Sequence, residues 1–162
     1  MALRENQDYA FVPEVMVILE KACFVGTKKH MYVVPDEQVA MEKSLREFLA
    51  SSLSSTYVVE SMRVGSKPPR ERISELVRDE ATTLDSLHAF FVGLKKTWDA
   101  VNIIDLELLT RLKVQAGFFG GSISAKKQGN LGYSIVVTSI PKPARNVVKQ
   151  FYQPIVDAKA GG

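Results

Sequence analysis

The chain has 162 residues, 46% hydrophobic and 24% charged, with a net charge of +3. These values exclude a disordered polymer, a collagen-like repeat and a coiled-coil rod, and they describe one domain able to bury roughly two-thirds of its unfolded surface without disulfides or metal. No apolar run is long enough for a membrane-spanning helix, Arg4, Glu5 and Asp8 interrupt any leader-like start, and the single cysteine, Cys23, reads as a small buried hydrophobe in a reducing, cytoplasmic compartment.

In chain order, Pro13 suits a first helical position. Behind it Val15, Met16, Leu19, Ala22 and Cys23 recur at helical spacing up to Gly26. A short strand is predicted at His30–Val34. Asp36 caps a second helix whose face carries Met41, Leu45, Phe48 and Leu49, and Tyr57–Val64 reads as a second strand. Gly65–Pro69 breaks the chain before a third helix, Pro69–Asp79, with Ile73, Leu76 and Val77 inward. Thr82 or Thr83 then caps the clearest helix: Leu84, Leu87, Phe91, Leu94, Trp98 and Val101 form a heptad seam. Asn102 or Asp105 opens a further helix with Leu108, Leu109 and Leu112 inward, ending near Gly117.

The C-terminal third differs. Phe118–Lys126 and Leu131–Ile140 are β-rich runs joined by Lys127–Asn130, a hairpin signal. The adjacent Ile135, Val136 and Val137 point to a central strand covered on both faces. Pro141 and Pro143 lead into a last helix, Ala144–Tyr152, ended by Pro154. The predicted fold is α+β: residues 1–156 form one domain of about six helices and a four-stranded sheet that includes the C-terminal β-hairpin, and 157–162 are a flexible tail. An α/β three-layer arrangement is the alternative.

Charge is distributed unevenly. Residues 1–81 carry 11 bases and 13 acids, whereas residues 82–162 carry 10 bases and 5 acids. Between Glu107 and Asp157 lie 49 residues without an acid, containing Arg111, Lys113, Lys126, Lys127, Lys142, Arg145 and Lys149. Because Asp and Glu are depleted in strands, strand content alone could produce this; an anionic partner is the functional alternative.

Motifs for chemistry are sparse. Cys23, His30 and His88 are scattered without zinc-ligand spacing, so no metal and no cofactor is expected. No nucleophile elbow, P-loop or dinucleotide fingerprint is present. The glycines of Gly120, Gly121 and Ser122 could nest an anion as a ligand loop, or simply let the chain bend. No recognised nucleic-acid motif occurs either. The sequence therefore leans away from an enzyme and towards a binding or regulatory domain. Its expected anion-binding residues are Lys126, Lys127, Lys142, Arg145 and Lys149, and the expected partner is a polyanion such as nucleic acid, with no membrane. Two alternatives stand beside it: a small-molecule-binding protein or enzyme with a pocket between sheet and helices, and a self-assembling subunit whose heptad seam forms a homodimer.

Overall fold

The computed structural model describes residues 2–36, 69–117 and 120–161. The predicted second helix and the Tyr57–Val64 strand fall within 37–68, outside the described residues. Within them lie seven strands: β1 (Tyr9–Val17), β2 (Glu20–Thr27), β3 (His30–Pro35), β4 (Asn102–Asp105), β5 (Leu109–Gly117), β6 (Gly120–Lys127) and β7 (Ser134–Ile140). Three α-helices accompany them: α1 (Pro69–Arg78), α2 (Leu84–Thr97) and α3 (Lys142–Ala160). The fold is thus dominated by one seven-stranded antiparallel sheet with three helices among the described residues. This corrects the expectation of about six helices with a four-stranded sheet, and an antiparallel sheet also removes the three-layer α/β alternative.

Two predicted helices are strands. The segment from Pro13 to Gly26 is the β1–β2 hairpin, in which Val17 pairs with Glu20 across the two-residue turn Ile18–Leu19. Pro13 does not start a helix. It lies in a β-bulge between Val12 and Val15, a place where a residue without an N–H is tolerated in a sheet. The segment from Asn102 to Gly117 is β4, one 3-10 turn (Leu106–Leu108) and β5. Asp105 caps that turn by accepting a hydrogen bond from the Glu107 N–H at 3.0 Å.

The strand order is β4-β3-β2-β1-β7-β6-β5, and every neighbouring pair is antiparallel. Directions therefore alternate across the sheet, so its two end strands, β4 and β5, run the same way. Only Leu106–Leu108 separates them in the chain, so their ends are four residue steps and at most about 14 Å apart. The two ends are halves of one bent strand, and the sheet must curl until its edges meet. The β1–β7 seam is narrow, with Met16 opposite Ser139. Beside that pair the Thr138 hydroxyl donates to the Met16 carbonyl at 2.9 Å and accepts from the Ile18 N–H at 2.7 Å.

All seven strands face a common interior. Val12, Phe24, Met31, Ile104, Leu112, Ile123 and Val137 meet there with Val148, Phe151 and Tyr152 of α3. Helix α3 runs along the inner side of β5 and through Pro154, past the predicted end at Tyr152. It is tied to the sheet at both halves. The buried Tyr152 hydroxyl donates to the Thr27 carbonyl at 3.0 Å. The Lys28 ammonium donates to the Phe151 carbonyl and sits 3.7 Å from the Phe151 ring centroid. Further on, the Lys159 ammonium donates to the Leu109 carbonyl at 2.8 Å.

A second core covers the outer side of β1–β3. Tyr9, Cys23, Val25, Tyr32 and Val34 pack against Ile73 and Val77 of α1 and Leu87, Phe91 and Leu94 of α2. Thr83 caps α2 reciprocally with Ser86, as its position before the apolar run predicts. The heptad seam is buried within the chain itself. Trp98 and Val101 stay buried although the helix ends at Thr97, whereas Leu84 is half-exposed.

Candidate functional site

The outer side of β5 and β6 carries no covering helix among the described residues. On β5, Leu112 and Val114 point inward and are buried, so the alternating Arg111, Lys113 and Gln115 point outward. On β6, Ile123 and Ala125 point inward, leaving Ser122, Ser124 and Lys126 outward. The pairing sets Arg111 opposite Lys126, Lys113 opposite Ser124 and Gln115 opposite Ser122. Two bases thus face one another directly, a cross-strand pairing that is unfavourable without a counter-charge. The Arg111 guanidinium is held by the carbonyls of Thr110 at 2.8 Å and Lys159 at 2.7 Å. The Lys113 ammonium lies 4.8 Å from the centroid of the half-exposed Tyr133 ring. Among the described residues, Arg111, Lys113, Lys126 and Lys127 form no ion pair with a carboxylate.

The five residues expected to bind an anion are divided by this architecture. Lys126 is outward on β6 and Lys127 is exposed at its end, opposite Leu109. Lys142, Arg145 and Lys149 belong to α3, which packs on the inner side of the same strands. Lys142 and Lys149 are exposed on that helix. Arg145 secures the far end of the β5–β6 hairpin, its Nη1 donating to the Gly117 carbonyl at 2.8 Å and its Nε to the Ile140 carbonyl at 3.2 Å. Six strand steps, about 20 Å, separate Gly120 at that end from Lys126. Lys126 and Lys127 therefore keep company with Arg111, Lys113 and Lys159, not with Lys142 and Arg145.

The glycine segment is occupied by protein. Gly121 is buried, and a Cβ there would lie 2.9 Å from Arg145 Cγ and 3.1 Å from Ile140 Cβ. Gly120 has φ 155° and opens β6 opposite Gly117. The glycines thus permit close passage of the Arg145 stem. A cavity of about 270 Å³ opens elsewhere, where Val17, Lys21, Val33, Asn102, Ile135 and Val136 converge. Another of about 180 Å³ lies beside Glu14, Met16, Arg70 and Pro141. Gly120, Gly121 and Ser122 line neither.

A second cluster joins residues far apart in sequence. His30 of β3 and His88 of α2 stack with ring centroids 4.1 Å apart, and the Tyr32 hydroxyl lies 2.8 Å from His88 Nδ1. Tyr32 in turn stacks on Phe91 at 4.1 Å. Burial raises the Tyr32 phenol, so it keeps its proton and can donate it to a His88 whose Nδ1 is unprotonated. Among the described residues, no group of three or more His, Cys, Asp or Glu side chains could hold a metal ion. Cys23 is buried and its thiol is pushed up to about 12 by desolvation, which leaves it unreactive. No helix among the described residues is long and apolar enough to cross a membrane.

The sequence shows Arg111 and Lys113 among its bases and Tyr133 among the rings interleaved with them, but places none of the three in a site. The signal was available. Arg111-Leu112-Lys113-Val114-Gln115-Ala116 alternates strictly, which marks a strand with one polar basic face. Reading Leu108, Leu109 and Leu112 as a helical face concealed it. The His30–His88 stack had no sequence signal, since 58 positions separate the two rings. Compared with protein-family models, curated proteins and solved structures, the chain has no match.

Proposed function

We propose that this chain is a non-enzymatic binding protein that docks a polyanion, single-stranded nucleic acid above all, on the outer face of β5 and β6. The observation that carries the reading is the directly opposed Arg111 and Lys126 pair on a sheet face without an acidic residue. Bringing these bases together has an electrostatic cost, which a bound phosphate chain would offset. Lys113 and Lys127 extend the positive surface along the strands. Ser122, Ser124 and Gln115 add hydrogen-bonding groups, and Tyr133 offers a half-exposed ring on which a base can stack. A strand surface with this composition favours an unpaired strand, whose bases are free to lie on the sheet.

The test is fluorescence anisotropy with a labelled oligonucleotide at several salt concentrations. Four phosphate contacts, by Arg111, Lys113, Lys126 and Lys127, give a log–log salt slope of about −3 for a single strand. The Lys113→Glu/Lys126→Glu variant should lose binding to all sequences alike, because phosphate contacts do not read bases. Tyr133→Ala should weaken binding by about 1–3 kcal/mol. Absence of binding at low salt, or equal binding by the double variant, overturns the proposal.

A further inference from the structure

We propose that the stacked His30–His88 pair is a proton-sensitive latch that holds α2 on β3 when neutral and loosens it when charged. The two rings come from different elements and meet at 4.1 Å between centroids, at the point where the helix crosses the strand. Both are partly buried. Two imidazolium rings at that separation repel, and partial burial weakens the screening that water would provide.

The hydrogen-bond geometry reinforces the effect. With His88 neutral and its proton on Nε2, the Tyr32 O–H donates to Nδ1. A protonated His88 carries N–H on both nitrogens, so the Tyr32 hydroxyl must turn to accept from Nδ1–H, and its own proton loses its acceptor. Among the described residues the Tyr32 hydroxyl has no other partner to turn to. Beneath it, Tyr32 stacks on Phe91, a core residue of α2, so disturbance at the pair reaches the helix packing directly.

The charged groups around the pair come from every neighbouring element. Burial is the largest influence on His30 and lowers its proton affinity; His88 and Lys29 of the β2–β3 turn lower it further, while Asp105 of β4 and Glu107 of the 3-10 turn oppose them. Asp85 stands one turn before His88 on α2 itself. The lowering influences dominate at His30. The folded state therefore binds fewer protons than the unfolded chain. Stability from this site is complete above about pH 6.5 and declines as the pH falls below it.

The experiment combines an NMR titration of the imidazole resonances with hydrogen exchange of the α2 amides at about pH 7.5 and about pH 5.5, corrected for intrinsic rates. The His30 midpoint should lie below about 6.5 in the wild type and rise in His88→Gln, whose amide oxygen keeps the Tyr32 bond without the charge. Protection of α2 should fall about tenfold at the lower pH in the wild type and by less in the variant. A wild-type His30 midpoint at or above 6.5, a midpoint unmoved by His88→Gln, or equal α2 protection at both pH values overturns the latch. If the variant does not fold, the wild-type titration and exchange decide alone.

Discussion

The two halves of the sheet obey the same pairing rules and are built from different sequence. Strands β2 and β3 are covered on both sides. Ala22 and Phe24 face the interior while Cys23 and Val25 face α1 and α2; Met31 and Val33 alternate with Tyr32 and Val34 in the same way. Among the described residues, strands β5 and β6 are covered on the inner side alone, and their outward positions carry Arg111, Lys113, Gln115, Ser122, Ser124 and Lys126. An uninterrupted apolar run thus marks the half that supports the helical layer. An alternating run marks the half whose outer face the described residues leave uncovered. The same residues that would damage a two-sided strand are tolerated on a one-sided one, because their polar ends remain in water.

The comparison can be broken first at its cores. Phe24 and Phe91 are fully buried, one in the interior and one beneath α2. Each change to alanine should cost about 3–5 kcal/mol in urea denaturation. A loss below about 1 kcal/mol for Phe91→Ala would mean that the helical layer is not an integral part of the folded unit. Leu94→Ala, in the same layer but slightly exposed, should cost about 2–5 kcal/mol by the same measurement, nearer the lower figure.

A finer test lies where α3 meets β2. A Cβ on Gly26 would collide with the Tyr152 hydroxyl, 2.0 Å away. Gly26→Ala should destabilise by about 1–3 kcal/mol, and Tyr152→Phe by about 1–3 kcal/mol through loss of the bond to the Thr27 carbonyl. If the collision is the cause, Gly26→Ala should cost less in the Tyr152→Phe background, and a double-mutant cycle measures the difference. Additive losses would locate the strain elsewhere.

The smallest expected effect is on the open half. Lys126→Ala should change stability by less than about 0.5 kcal/mol, with the sign favouring the variant because a cross-strand like-charge contact with Arg111 is removed. A large loss would show that Lys126 is held by structure and is not free for a ligand.

Local chemistry determined much of this molecule. The Thr83 cap with its Ser86 partner, the start of α1 at Pro69, strand β3 and the turn between β6 and β7 are all legible, because caps, turns and short apolar runs act over a few residues. The acid-free basic stretch was legible as well. What the tertiary structure alone decided is concentrated at β-bulges. On β1 the inward residues are Ala10, Val12 and Val15, and on β5 they are Leu109, Leu112 and Val114. A register shift falls in each gap of three, between Val12 and Val15 and between Leu109 and Arg111. One extra residue turns a spacing of two into a spacing of three, which imitates one turn of helix. In the β6–β7 pairing, the shift between Ile123 and Ser124 turns both Val136 and Val137 inward and leaves Ile135 exposed, so that adjacent apolar residues do not signal cover on both sides. Bulges are fixed by the neighbouring strand and by the curl that joins β4 to β5, and neither is written in the segment that bends. For the same reason the bases could be counted in sequence but not assigned to a face: which side of a strand a lysine occupies depends on the register, and the register belongs to the sheet.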